Sequence, residues 1–165
     1  MYTPKITFIV LLMVFFIPWQ FSRAETDTVR SAALELALIK ESFFAPNLEI
    51  NITIKPGGQA INAFDTIVIY DPADLEAISV EPNPGLGLLA AASSINNRLG
   101  QAEITCGTTT PLNFNTIIAA KITFKKLAVG FTEITFSNNS QVAAANGLGS
   151  NILLSSEVHN IYLAK

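Results

Sequence analysis

Few side chains in this sequence could carry out covalent chemistry or hold a metal. The chain has one histidine, His159, and one cysteine, Cys106, so neither a pair of imidazoles nor a Cys-x-x-Cys motif can form. No Gly-x-Ser-x-Gly motif marks a nucleophilic serine. The sequence therefore predicts no catalytic residue, no metal site and no cofactor, and it predicts that the protein is not an enzyme.

Three carboxylates lie close together in the sequence, at Asp71, Asp74 and Glu76. A pair of carboxylates can hydrolyse glycosides, and carboxylate oxygens can bind calcium. These three surround an Asp-Pro dipeptide, where Asp bonds the nearby backbone and Pro fixes a turn. We therefore predict that they form and solvate a turn, with a calcium site as the alternative.

The two single reactive residues have structural explanations. Cys106 follows Ala102 and Ile104 at a spacing of two residues, which predicts a buried strand position where Cys acts as a small hydrophobe. A single cysteine also excludes an internal disulfide. His159 precedes the last apolar segment, and we predict a half-exposed strand residue there and not a catalytic base.

The first 24 residues have the pattern of a secretory signal peptide. Lys5 precedes the apolar run Ile6 to Ile17, and Ser22-Arg23-Ala24 supplies small residues for cleavage after Ala24. This predicts a signal peptide over residues 1–24, a lead-in over 25–31 and a domain over 32–165, secreted to the outside or to the cell envelope. The alternative is an uncleaved segment that anchors the domain in a membrane.

Composition limits the class of partner. Half of the residues are apolar, and 13 acidic against 10 basic residues give a net charge of −3. The basic residues form no cluster, which argues against nucleic acid or an anionic membrane surface as the partner. The apolar content predicts a chain that forms a packed core.

Alternation of apolar and polar residues recurs along the chain and predicts strands. Leu48 to Ile54 is the clearest case, and Asn62 to Tyr70 is rich in the β-branched and aromatic residues that favour strands. A helix is the alternative for Ala32 to Ile39, and Leu88 to Ala92 is open between strand and helical turn. The whole pattern predicts an all-β fold, a nine-stranded antiparallel β-sandwich.

The same alternation predicts which side chains face the core. Leu75 and Ala77 are expected on one side of their strand, with Ile78 and Val80 on the other. In the strand over residues 116–127 the predicted inward residues are Ile118, Ala120, Ile122 and Phe124. The polar stretch over residues 107–115 is predicted to be a loop.

Three motifs resemble the cohesin domain family. These are Tyr70-Asp71-Pro72 followed by Leu75, the segment Gly100-Gln101-Ala102-Glu103-Ile104, and IIAAKITFKKLAVGFTEITFS over residues 117–137. Their order and spacing are similar to those of cohesins from Ala32 to Leu163. The resemblance implies a jelly-roll β-sandwich, related to carbohydrate-binding modules, with an extracellular role in polysaccharide degradation or cell-surface assembly.

The resemblance also implies a site for a protein partner. Cohesins that bind dockerin modules use the sheet face that includes the strand before Tyr-Asp-Pro. The outward residues of this face are then Asp65, Ile67 and Ile69, beside Gln101, Glu103 and Thr105 of a neighbouring strand. Asp65 matches a hydrogen-bonding Asp of the family, whereas Ala63 replaces a frequent Asn. The alternative is that a loop or the Leu88 to Ala92 segment covers the two isoleucines.

Two other functions remain open. A carbohydrate-binding module needs exposed aromatic rings that stack on sugars, and Tyr162 and Phe114 are the predicted platforms, with Phe43 and Phe44 as further candidates. The only tryptophan, Trp19, lies in the predicted signal peptide, which argues against a broad planar platform. The third possibility is a structural or adhesive envelope protein. The predicted partner is therefore a dockerin-like protein or a polysaccharide, and a membrane only where the signal segment stays uncleaved.

Overall fold

The computed structural model describes residues 29–40 and 46–164. The predicted signal peptide and the two aromatic residues Phe43 and Phe44 lie outside the described residues. Within the described ranges no helix is both long enough and apolar enough to cross a membrane. Eleven strands lie in these ranges: β1 (Ala32–Lys40), β2 (Asn47–Lys55), β3 (Ile61–Tyr70), β4 (Leu75–Pro82), β5 (Ala90–Asn96), β6 (Gln101–Leu112), β7 (Ile117–Lys126), β8 (Gly130–Phe136), β9 (Gln141–Ala144), β10 (Leu153–Ser156) and β11 (His159–Leu163).

The strands form two sheets. The five-stranded sheet has the order β10-β1-β2-β7-β4, and the six-stranded sheet has the order β11-β8-β3-β6-β5, with β9 also paired to β3. All neighbours are antiparallel except β1 and β10, which run parallel. The predicted all-β sandwich is therefore confirmed, with eleven strands in the described residues instead of nine and one parallel pair.

The core lies between the two sheets and is made of the alternating residues that the sequence marks. Leu48, Ile50, Ile52 and Ile54 of β2 are buried, and so are Phe64, Val68 and Tyr70 of β3. Each such side chain stabilises the fold by roughly 1.5–3 kcal/mol when it leaves water. The helix alternative for Ala32 to Ile39 is wrong, because this segment is β1 and its leucines 34 and 36 are buried.

Two predicted faces are each wrong at one residue, Val80 in β4 and Ile118 in β7, because bulges change the alternation. In β4 the register with β7 shifts between Ala77 and Ser79, so Ile78 points to solvent while Val80 is buried. In β7 the register with β2 shifts at Ile52 and Thr53. Ile118 is therefore exposed, and the buried residues at this end of β7 are Ile117, Ala119 and Ala120. A bulge adds one residue to one strand, and every side chain beyond it changes face.

The predicted loop over residues 107–115 is also partly wrong. β6 continues to Leu112, which pairs with Ile61 and is buried. The glycine and threonines of this stretch favour a loop by type. Gly107 pairs with Ala63 and Leu112 pairs with Ile61, and the register shift between these two pairs leaves residues 108–111 without a partner in β3. The open segment Leu88 to Ala92 is resolved as the start of an edge strand, since β5 begins at Ala90.

Asn97 links the two sheets, because its side chain bonds Tyr70 of β3 in one sheet and Ala77 of β4 in the other. Its side-chain Oδ1 accepts hydrogen bonds from the Tyr70 hydroxyl at 2.6 Å and from the Ala77 N–H at 2.8 Å. Its Nδ2 donates to the Ala77 carbonyl at 3.1 Å. The Tyr70 ring packs edge-on against Phe124 with centroids 5.0 Å apart, and burial raises the pKa of the Tyr70 hydroxyl. The tyrosine of the Tyr-Asp-Pro motif is therefore a structural residue.

Candidate functional site

The predicted partner site is one continuous surface on β3 and β6. The register places Asp65 opposite Thr105, Ile67 opposite Glu103, and Ile69 opposite Gln101. Their chain neighbours on both strands are buried, so these six side chains project from the outer side of the sheet. We call Asp65, Ile67, Ile69, Gln101, Glu103 and Thr105 the β3–β6 face.

The backbone under this face is held on both sides. Opposite β6, strand β3 pairs with β9 around Asp65 and with β8 around Ile69. The gap at Ile67 is closed by Ser140, whose Oγ accepts a hydrogen bond from the Ile67 N–H at 3.0 Å. The Ser137 N–H donates to the Ile67 carbonyl at 2.8 Å. The surface is therefore preformed, and a partner would not have to order it.

The Leu88 to Ala92 segment does not cover the isoleucines. From Ala90 onward it pairs with β6 at the edge of the same sheet, and Leu88 packs against the core. Ile67 and Ile69 are both partly exposed. Two neighbouring aliphatic side chains on the outside of a sheet are typical of an interface.

Charge separates the two outer surfaces of the sandwich. The strands of the six-stranded sheet contain Asp65, Glu103 and Glu133 but no lysine or arginine. The opposite sheet carries the strand lysines, and three of them form ion pairs across neighbouring strands: Lys55–Glu35 at 2.6 Å, Lys121–Glu81 at 3.4 Å and Lys125–Glu76 at 3.4 Å. The five-stranded sheet thus compensates its own charges, whereas the β3–β6 face presents acidic groups beside apolar ones.

Small side chains extend the face onto β5, which the sequence analysis did not include. Ala92 lies opposite Thr105 and Ser94 opposite Glu103. A shallow depression of about 120 Å³ lies here and is lined by Ala92, Ser93, Ser94, Glu103 and Thr105. Hydrogen bonds orient the acids beside it. Thr105 donates to Asp65 at 3.0 Å, and Ser94 donates to Glu103 at 3.4 Å.

The predicted sugar-stacking residues are exposed but far apart. Tyr162 is 48% exposed and Phe114 is 60% exposed. Tyr162 lies beyond the Tyr70 end of β3, where β8 and β11 pair, whereas Phe114 follows Leu112 at the Ile61 end. β3 has ten residues and is about 30 Å long at the usual rise per residue. The two rings therefore cannot form one site.

An aromatic neighbour of Tyr162 was missed in the sequence. Phe131 pairs with Tyr162 across β8 and β11 and is 80% exposed. The rings meet edge-on with centroids 5.0 Å apart and planes at 63°. Glu133 and Asn160 form the next pair on the same side of these strands, and both are exposed. The alternation with Glu133 could have identified Phe131 as outward, but its residue type favours the core.

The side chains that could take part in chemistry are a buried thiol, a histidine within a strand and a carboxylate bonded within a turn. The Cys106 thiol is 2% exposed, and burial raises its pKa to about 11, so it stays protonated at neutral pH. His159 is partly exposed in β11, and Asp71 accepts a hydrogen bond from the Ala73 N–H at 2.8 Å within its turn. In the described part of the chain, no group of three or more His, Cys, Asp or Glu side chains could hold a metal ion.

Comparison with known proteins connects this geometry to solved structures. No protein-family model matches the sequence, and no similar sequence was found among curated proteins. The seventh ScaB type I cohesin from Pseudobacteroides cellulosolvens superposes with a TM-score of 0.64 at 16% identity, covering 81% of this chain and 92% of that one. A type II cohesin from the cellulosome of Acetivibrio cellulolyticus gives 0.63 at 15% identity, covering 79% and 95%. A type I cohesin–dockerin complex from Clostridium thermocellum, Coh-OlpC-Doc435, gives 0.60 at 15% identity, covering 81% and 92%.

The architecture is thus a two-sheet β-sandwich that solved binding modules share. More specifically, the chain has the cohesin fold, which confirms the resemblance drawn from Tyr70-Asp71-Pro72 and the two other motifs. At 15–16% identity the likeness establishes the fold and leaves the ligand to be argued from the surface.

Proposed function

We propose that the protein is a secreted, non-catalytic binding module that captures a dockerin-like protein through the β3–β6 face. The observation that carries the proposal is the pair Ile67 and Ile69, which are partly exposed on a rigid sheet and flanked by Asp65 and Glu103. An apolar centre with a polar rim is the usual anatomy of a protein interface.

The structural neighbours support a dockerin-like partner. Cohesins with this fold were solved in complex with dockerins, among them the complex from Clostridium thermocellum. The surroundings of such a module would be a polysaccharide-degrading or cell-surface assembly outside the cell. The preformed backbone of β3 favours tight capture, because little conformational entropy is lost on binding.

The decisive experiment compares two isoleucine substitutions. Ile67→Lys places an ammonium group at the centre of the proposed interface, and Ile78→Lys makes the same change on the exposed side of β4 in the opposite sheet. Binding to a panel of purified dockerins, and to proteins of the source organism's secreted fraction, is measured by calorimetry or pull-down. Ile67→Lys should weaken the binding free energy by about 2 kcal/mol or more, roughly 30-fold in affinity. Ile78→Lys should leave the affinity unchanged.

Thermal unfolding of both variants provides the control for folding. Equal binding by a folded Ile67→Lys variant would show that the partner docks elsewhere. A substitution of Asp65 by Lys tests the rim of the same surface and should weaken binding as well, because it reverses an exposed charge beside the isoleucines.

Carbohydrate binding is a second candidate function, favoured by one observation. Phe131 and Tyr162 form an exposed aromatic pair, with the hydrogen-bonding groups of Glu133 and Asn160 beside it. Aromatic faces that flank polar groups suit the apolar faces and hydroxyls of a saccharide. The rings are inclined at 63°, so this pair fits a short or twisted sugar chain and not a flat crystalline surface.

Affinity electrophoresis against soluble polysaccharides tests this second candidate. Tyr162→Ala and Phe131→Ala should each abolish retardation, whereas Phe114→Ala, at the other end of the sandwich, should not. Retardation that survives both of the first two substitutions, or its absence for the unmodified protein across the panel, would exclude a saccharide site at this pair.

A further inference from the structure

We infer that the protein forms a twofold-symmetric dimer in which β5 pairs antiparallel with β5 of a second copy. The inference does not depend on the proposed function, because it concerns the edge of the six-stranded sheet and not its outer face. Two observations carry it: β5 lacks the protection that the other sheet edges have, and exposed aliphatic side chains lie along it.

The edge at β4 is protected against further strand pairing. Pro82 lacks a backbone N–H, and the bulge at Ile78 interrupts the strand. The side chain of Asn97 bonds both the N–H and the carbonyl of Ala77, which occupies backbone groups that a new strand would need. The three other outer strands, β9, β10 and β11, have only four, four and five residues. Prolines, bulges and short length are the usual means of blocking a sheet edge.

The edge at β5 has none of these features. Its seven residues, AAASSIN, include no proline and no charge, and all seven pair with β6 without a register shift. Residues 91–96 are exposed. β5 is the last strand of its sheet, so on the side away from β6 no strand pairs with its backbone, and such an edge is a template for one more strand.

The side chains around this edge favour a second copy of the chain as the occupant. Leu89, just before β5, is 73% exposed, and Ile95 and Leu99 at the other end are also exposed. Antiparallel pairing about a twofold axis brings the Leu89 end of one strand beside the Ile95 and Leu99 end of the other. A second copy thus supplies matching apolar contacts by symmetry. The uncharged strand also lets two chains of net charge −3 approach without repulsion at the contact.

This pairing has a consequence for binding. The twofold axis between antiparallel strands is perpendicular to the sheet, so both copies turn the same outer side in the same direction. The two β3–β6 faces then lie side by side on one extended sheet. A partner with two docking segments, or two partners fixed on one surface, would be held with the gain in avidity that bivalent contact gives.

Analytical ultracentrifugation over a dilution series tests the dimer, using the full chain as processed by the cell that expresses it. We expect a mass of two chains at high concentration and dissociation on dilution. Ile95→Lys puts one ammonium group of each copy into the contact and should weaken dimerisation by about tenfold or more, since an inward charge blocks an edge. Leu148→Lys, at an exposed loop position, is the matched control and should leave the dissociation constant unchanged.

Cysteine cross-linking tests the strand pairing itself. Single substitutions to Cys at Ala92, Ser93 and Ser94 scan the middle of β5, where symmetry brings equivalent residues of two copies within disulfide distance. Mild oxidation should link the chains at one or two of these positions and not in Leu148→Cys. A monomer at every concentration, a dimer that Ile95→Lys leaves intact, or equal cross-linking at residue 148 would overturn the inference.

Discussion

At the scale of single residues, burial decides what Cys106 can do. Its neighbours in β6 and the facing sheet leave the thiol 2% exposed, and this burial raises the pKa to about 11. The nucleophilic form of cysteine is the thiolate. The same apolar surroundings that make Cys106 part of the core therefore keep it unreactive.

The raised pKa predicts a loss of stability at high pH. In the unfolded chain the thiol ionises near its ordinary pKa of 9.0, whereas the folded thiol stays protonated to about 11. The stabilisation is fully present below pH 9 and is lost as pH rises towards 11, because the unfolded state then releases a proton that the folded state keeps. The loss should approach ~2–3 kcal/mol, measured as the free energy of unfolding in urea.

Cys106→Ala separates this effect from other titrations. The variant should be less stable below pH 9 because it lacks the buried sulfur, but its stability should fall less steeply above pH 9. A slope identical to that of the unmodified protein would show that another group, such as the buried Tyr70 hydroxyl with its own raised pKa, accounts for the loss.

At the scale of elements, the turn before β6 depends on Gly100. Its φ is +63°, and a Cβ built on it would lie 2.0 Å from the Tyr70 carbonyl oxygen. The Gly100 carbonyl also accepts a hydrogen bond from the Tyr70 N–H at 2.9 Å. The glycine is therefore required for two reasons, the left-handed backbone and the close approach of β3. This explains why it opens one of the three motifs that resemble cohesins.

Gly100→Ala should destabilise the protein strongly. The left-handed conformation costs an alanine about 1 kcal/mol, and displacement of the β3 backbone should add roughly 2 kcal/mol or more. Gly147→Ala is the control, because its φ is +79° with no atom within 4 Å of the added Cβ. Chemical denaturation should show the larger loss for Gly100→Ala. Equal losses would mean that the β3 backbone moves aside without cost.

The elements also show which features could be predicted from the sequence. The alternation of β3 from Ala63 to Ile69 was predicted correctly, and with it the outward positions of Asp65, Ile67 and Ile69, because this part of the strand pairs with β6 without a register shift. The faces of β4 and β7 were predicted wrongly only at Val80 and Ile118, because a bulge in each strand adds a residue to the alternation. Phe131 was missed for another reason, since a phenylalanine favours the core by type while its position in β8 is outward.

At the scale of the whole molecule, charge distinguishes the two outer surfaces. The five-stranded sheet pairs its lysines with glutamates across strands, so it offers little net field. The six-stranded sheet has acidic residues and no basic residue in its strands. In a protein of net charge −3, the strand residues on the side that carries Ile67 and Ile69 thus contribute a negative field, with Arg98 in the turn between β5 and β6 as a basic residue outside the strands. This separation was not apparent from composition, because it depends on which strands belong to which sheet.

This field predicts that the partner of the β3–β6 face is basic and that its capture is fast at low salt. Complementary charges speed the encounter of two proteins, and salt screens them. Neutralising Glu103 by Glu103→Gln should therefore lower the association rate of the captured dockerin-like partner several-fold at low ionic strength, with little change at high ionic strength. Glu76→Gln on the opposite sheet, where Lys125 pairs with the carboxylate, is the matched control and should leave the rate unchanged. Stopped-flow measurement over a salt series decides between the outcomes. An association rate that does not depend on salt, or that rises in Glu103→Gln, would show that the acidic rim does not guide the partner and that the isoleucines act alone.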